Sequence, residues 1–179
     1  VIALIAESTA AVYGYDAFET GTRYVAVSDW GSSTHDLTIL EVSDSGAVKV
    51  VAVVGTAAGG SRVTNELIER CIDGFAAQLG FLPHPQSTPE ALWDLREQCE
   101  QTKLAFAVSD SGLVVVRDRD RVFQQEFTVD EFLSCVQPVE ADIFAAIDAT
   151  LADQGIDPAE VHWVGAGRAW AGAKRAASW

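Results

Sequence analysis

RYVAVSDWGSSTHDLTILEVSDSGAVKVVAVV, residues 23–54, is three strands punctuated by two turns. Residues 23–28 read as the first strand. Asp29-Trp30-Gly31-Ser32-Ser33 reads as a turn, because glycine and serine cluster there and the apolar alternation stops. Residues 34–42 alternate again around Leu37 and Ile39, Ser43-Asp44-Ser45-Gly46 is a hairpin turn, and residues 47–54 form a valine-rich third strand. Short connections between successive strands predict an antiparallel meander.

Upstream, residues 1–6 are an all-apolar run of the kind that makes a buried strand, and an alanine-rich helix follows in which Ser8 or Thr9 can serve as N-cap. Downstream the period changes from two to 3.6. Val63, Leu67, Ile68, Cys71, Ile72 and Phe75 recur at helical spacing through residues 61–79, and Leu92, Leu95, Cys99 and Phe106 do so in a second helix that Pro89 opens. Residues 112–117 and 121–127 read as a hairpin around Asp118-Arg119-Asp120. Thr128 with Glu131 three positions on is a capping box, Pro138 is expected to break the helix it starts, and residues 139–154 resume it. Residues 161–164 form a last strand that runs into Gly165-Ala166-Gly167. The domain reading is a core of residues 1–80 and 128–179 with a smaller α+β insert at 81–127, joined by the end of helix 61–80.

The 179 residues are 49% hydrophobic, which suffices for one domain core, and 12 basic against 26 acidic side chains leave a formal charge of −14. An acidic surface repels polyanions, so nucleic acid and membrane are poor partners, whereas a nest of backbone N–H groups can still hold a phosphate. Cys71, Cys99 and Cys135 are widely spaced with no CxxC and read as reduced core thiols of a cytoplasmic protein. His35, His84 and His162 are scattered and read as packing or surface residues. With no methionine and an opening inside a strand, the chain reads as part of a longer protein.

Several segments can carry chemistry. In Asp29-Trp30-Gly31-Ser32-Ser33-Thr34-His35-Asp36, small residues admit an anion close to the backbone, hydroxyls add donors, and Asp29 can hold a hydrated Mg²⁺. The plain alternative is a tight turn whose Asp29 satisfies its own amides. Gly59-Gly60 and Gly165-Ala166-Gly167 are further points where a nucleotide can approach backbone. Glu100 and Lys103 share a helix face, and a solvated ion pair is their simplest reading.

The order of these segments resembles the DnaK-type (heat-shock-protein-70) chaperones. Glu7-Ser8-Thr9-Ala10-Ala11 with Tyr13-Gly14-Tyr15-Asp16 is similar to EPTAA…YGLD, and residues 29–36 are similar to the phosphate loop DLGGGTFD. Ala58-Gly59-Gly60 resembles LGGEDFD, Glu100-Gln101-Thr102-Lys103 resembles ERAK, and Val164-Gly165-Ala166-Gly167-Arg168 resembles VGGSTR. The resemblance implies an α/β lobe of the actin-like ATPase (ribonuclease-H-like) fold, a mixed sheet containing the meander, that binds ATP or ADP with Mg²⁺. It implies that Glu7 sits near the Mg²⁺ and attacking water, that Asp29 ligates the metal through water, that Gly31, Ser32, Ser33 and Thr34 wrap the β- and γ-phosphates, that Gly59 and Gly60 line the site, that Glu100 and Lys103 hold the ribose, and that Gly165, Ala166, Gly167 and Arg168 lie at the adenosine. A first lobe, a client-binding domain, and J-domain and nucleotide-exchange co-chaperones are the implied partners.

The sequence departs from the pattern at Ser8 for proline, at Ser32 and Ser33 for glycines, and at Leu104 for an adenine-stacking arginine, which removes a cation–π contact. Two alternatives stand beside the chaperone reading: a sugar kinase or actin-like filament lobe of the same superfamily, and a non-hydrolysing pseudo-ATPase scaffold.

Overall fold

The computed structural model describes residues 7–14, 23–79, 89–118 and 121–166. In chain order the elements are α1 (Glu7–Gly14), β1 (Tyr24–Trp30), β2 (His35–Val42), β3 (Val48–Thr56), α2 (Gly60–Leu79), α3 (Pro89–Ala105), β4 (Ser111–Asp118), β5 (Arg121–Thr128), α4 (Val129–Gln154), a 3₁₀ turn (Pro158–Glu160) and β6 (Val161–Ala166). They fall into two compact units, one of residues 1–59 and 140–170 and one centred on residues 60–139.

The first unit is built on a four-stranded sheet of order β3-β2-β1-β6. β1 runs antiparallel to β2, from Tyr24 opposite Glu41 to Trp30 opposite His35, and parallel to β6, from Tyr24 opposite Val161 to Asp29 opposite Ala166. The turn between β2 and β3 closes on Gly46, whose φ of +76° only glycine adopts without strain, and the Gly46 N–H donates to the Ser43 carbonyl at 2.8 Å. β1 and β2 are central and paired along both edges, and buried residues lie on both of their faces. Val25, Val27, Leu40 and Val164 pack together, while Ala26, Leu37 and Ile39 are fully buried as well. Each buried Val or Leu contributes about 1.5–3 kcal/mol, so the sheet interior dominates the stability of this unit. α1 packs against β1 and β6, and Ser8 and Thr9 lie inside that helix rather than capping it.

The antiparallel meander is present, with one shift. Asp29 and Trp30 belong to β1, paired with Asp36 and His35, so the turn is only residues 31–34. Trp30 is buried, and strand pairing carries on until Gly31 interrupts the side-chain packing.

In the second unit α2 and α3 pack on each other, α3 against β4 and α2 against β5, with β4 and β5 forming an antiparallel pair from Ser111 opposite Thr128 to Asp118 opposite Arg121. Val63, Leu67, Cys71 and Phe75 are the buried stripe of α2, and Leu95 and Cys99 that of α3. Leu92, expected on the same stripe, is exposed. Phe75 lies 5.3 Å from Phe123 and Phe106 stacks on Phe132 at 4.3 Å between centroids, so aromatic contacts join α2 to β5 and the end of α3 to the start of α4. This unit takes in all of α2 and the beginning of α4, through Val139.

Thr128 and Glu131 form the capping box. The Glu131 N–H donates to Thr128 Oγ1 at 3.3 Å, and the Thr128 N–H donates to Glu131 Oε2 at 2.8 Å. Pro138 does not break the helix that this box starts: α4 is one helix of 26 residues with the proline inside it. Proline removes a single backbone donor, and the flanking buried residues Cys135, Val136, Val139, Ile143 and Ile147 hold the helical path across the gap.

Candidate functional site

The expected phosphate turn is built at one end of the sheet. β1 ends in Asp29-Trp30, the Gly31 N–H donates to the Thr34 carbonyl at 2.9 Å, and the chain reverses into β2 with Ser32, Ser33 and Thr34 exposed. Thr34 Oγ1 donates to Asp36 Oδ2 at 3.0 Å, which fixes the hydroxyl toward the strand. Gly31 is glycine for space: a Cβ there would lie 3.2 Å from the Thr34 carbonyl oxygen. Gly59 closes against this turn, and a Cβ on it would lie 2.6 Å from both the Ser32 carbonyl oxygen and the Ser33 nitrogen.

The register of β6 brings Gly165 beside Ser28 and Ala166 beside Asp29. The first unit therefore gathers Asp29, Gly31–Thr34, Gly59, Gly165 and Ala166 at one sheet end. Glu7 opens α1, on β1 and β6; Gly167 and Arg168 lie outside the described residues.

The second unit gathers Gly60, Glu100 and Lys103 with Thr64, a residue that sequence reading does not single out. Lys103 Nζ donates to Glu100 Oε2 at 2.8 Å, to the Gly60 carbonyl at 3.1 Å and to Thr64 Oγ1 at 3.1 Å. Thr64 Oγ1 in turn donates to Glu100 Oε2 at 2.6 Å. An ammonium has three protons, and all three have acceptors here. The pair is thus a clamp between α3 and the first turn of α2, in place of the solvated surface bridge expected from helix spacing; the Lys103 side chain is only 13% exposed. Burial raises the Glu100 carboxyl, but the hydrogen bonds from Lys103 and Thr64 outweigh it and hold the group below its ordinary value. Glycine at 60 and threonine at 64, one helical turn apart, are the available sequence signal. Leu104 is half exposed.

A second residue that the sequence undervalues is His35. It is 1% exposed, shares a 2.8 Å hydrogen bond between Nε2 and Ser28 Oγ, and leaves Nδ1 without a partner among the described residues. Burial pushes its pKa below the ordinary imidazole value, against the opposing pull of Asp36 and Asp29. The three cysteines are free and buried, with Cys71 and Cys99 Sγ 3.9 Å apart. Among the described residues no three His, Cys, Asp or Glu side chains form a metal cage, and no helix is long and apolar enough to cross a membrane.

Comparison with known proteins supplies the class. A family model described as Hsp70 protein matches residues 1–166, and the mixed sheet with its helices is that of the actin-like ATPase fold. The chain is 28% identical to a mitochondrial-type heat shock protein 70 of Encephalitozoon cuniculi over 92% of its own length and 28% of the relative's. It is 25% identical to the chaperone protein DnaK of Thermus thermophilus, over 92% of this chain and 28% of that one, and 31% identical to a chaperone protein HscA homolog of Aliivibrio fischeri, over 90% and 24%. The chain belongs to the Hsp70 family and corresponds to part of a chaperone ATPase domain. It spans about a quarter of the length of these relatives. The kinase, filament and scaffold readings are not favoured.

Proposed function

We propose that this chain supplies one face of an adenine-nucleotide site. In this reading the turn of residues 31–34, backed by Gly59, receives the β- and γ-phosphates, and Gly165 to Arg168 meet the adenosine. The observation that carries it is the approach of Gly59 to the backbone of Ser32 and Ser33, which brings two glycine-bearing segments together at the end of the sheet that also carries Asp29. Exposed amides and hydroxyls in such segments complement phosphate oxygens.

Asp29 fits Mg²⁺. It is a hard oxygen donor, half-buried at the end of β1, and a single carboxylate suits an ion that keeps most of its waters and shares the rest with phosphate. Bound Mg²⁺ would neutralise charge on the phosphates. Thr34 holds its hydroxyl at the turn, and Glu7 would orient water near the metal.

The parent protein, in this proposal, is a cytoplasmic ATPase chaperone in which the opposing lobe completes the site. Hydrolysis there switches a client-binding domain, with J-domain and nucleotide-exchange co-chaperones as partners. Family membership supports the chaperone part of this reading.

Calorimetry of the chain with MgADP and with metal-free ADP is the direct test. Binding in the range of about 1 mM, near −4 kcal/mol, is expected. Asp29→Asn should remove the gain that Mg²⁺ gives and leave metal-free ADP unaffected. Equal binding of both forms by the unaltered chain would refute the assignment of Asp29.

A further inference from the structure

We propose that His35 is a positioning residue for the phosphate turn: its neutral imidazole, buried and hydrogen-bonded to Ser28 at the first residue of β2, keeps the adjoining turn of residues 31–34 in its anion-binding arrangement, and protonation releases it. The inference rests on the nucleotide reading for its consequence, though not for its geometry.

The position is unusual for its chemistry. In the DLGGGTFD pattern that residues 29–36 resemble, a phenylalanine occupies this place, an apolar ring with no proton to gain. Here the ring is an imidazole, buried at 1% exposure, with one nitrogen bonded to Ser28 Oγ at 2.8 Å and the other without a partner among the described residues. Across the β2–β3 pair its partner is Thr56, whose Oγ1 is also buried and unpartnered. Asp29 and Asp36 are the charged groups that act on it, and they project from the opposite face of the strands, one position along from Trp30 and His35 in the register. β3 faces it with Thr56 and no charge.

A neutral ring tolerates one idle nitrogen. A protonated ring has a charged donor at Nδ1 with no acceptor, and burying such a group without a partner is strongly unfavourable. The ring must then move toward Thr56 Oγ1 or out of the core. Its backbone continues directly into Thr34, whose carbonyl accepts from Gly31 and whose hydroxyl donates to Asp36. In this proposal, displacing His35 shifts the adjoining Thr34 and Asp36 and so loosens the bonds that close the turn. Burial keeps the ring neutral to lower pH than an exposed histidine, so the arrangement holds at neutral pH and fails in acid.

The test is ¹⁵N NMR of the intact chain from pH 7.5 to 5.0, following the His35 ring nitrogens, resolved from His84 and His162, with the amides of Gly31, Ser33 and Thr34. MgADP affinity is measured across the same range. The expected result is that the three amides titrate with the His35 midpoint and that MgADP binding weakens about tenfold per pH unit below it. In His35→Phe, and in His35→Gln should the first variant fold poorly, both effects should vanish apart from the titration of ADP itself. Turn amides that stay flat while His35 titrates, or a pH profile unchanged in His35→Phe, would overturn the proposal. If MgADP fails to bind at any pH while the amides still follow His35, the nucleotide reading falls and the coupling of His35 to the turn stands.

Discussion

Gly59 and Ser33 are in backbone-to-backbone contact: a Cβ placed on Gly59 would come within 2.6 Å of the Ser33 nitrogen. The atoms it would meet belong to main chain, which cannot swing aside as the tip of a side chain can. Gly59→Ala should therefore push the turn of residues 31–34 away from the segment that follows β3. The expected cost is about 1–3 kcal/mol, as for overpacking elsewhere, together with loss of MgADP binding. Thermal melts followed by circular dichroism and calorimetry check the two effects separately. A variant with unchanged melting and unchanged binding would show that the contact is dispensable.

Lys103 donates to three acceptors on two helices, so Lys103→Met should loosen the start of α2 from α3. Glu100 keeps the Thr64 hydroxyl but loses its charged partner, and a loss of about 1–3 kcal/mol is expected. The pH dependence has a definite sign. The Glu100 carboxyl is held below its ordinary value, so its contribution is complete above the unfolded carboxylate range near 4.5 and fades as pH falls through the lower folded value. Urea unfolding at pH 7 and at successively lower pH should show the largest difference between parent and variant at pH 7, shrinking as the carboxyl takes up its proton.

Thr128→Ala removes one half of the capping box at the start of α4. The Glu131 N–H loses its acceptor, and helix stability should drop by about 1 kcal/mol. Glu131 is held low chiefly by the Thr128 backbone N–H and then by its hydroxyl. The alanine variant keeps the first bond and loses the second, so NMR should find the Glu131 pKa moved partway back up. An unshifted Glu131 would mean that the hydroxyl bond is not formed in solution.

How far the sequence discloses all this depends on whether a feature is local. The meander is legible because glycine and serine turns interrupt a two-residue alternation, and the capping box because its two members lie three positions apart. Asp29 passes for a turn residue since Asp near Gly signals a turn, while its pairing with Asp36 depends on a partner strand. Pro138 looks like a break because its missing N–H is visible in sequence, whereas the burial that carries α4 past it is not. The site divides in the same way. Asp29, Gly31–Thr34, Gly59 and Ala166 are named by motif order and do converge. Lys103 pairs in sequence with Glu100 alone because Thr64, 39 positions away, cannot be inferred from helix spacing. His35 looks ordinary, since nothing in its neighbours announces a ring buried with an idle nitrogen.

The strand order carries one more consequence, for the time course of synthesis. β1 meets β2 within a few residues but must wait for β6, and Val161 follows Trp30 by 131 positions. At ribosomal speeds of about 5–20 residues per second, that interval is on the order of ten seconds. Throughout it, the backbone edge of β1 that pairs with β6 has no neighbour, and closing so long a loop is the slow, non-local step of this topology. A nascent chain arrested near residue 150 should therefore expose a sticky strand edge that the finished one conceals, making this chaperone fragment a client for protection before it belongs to any protector.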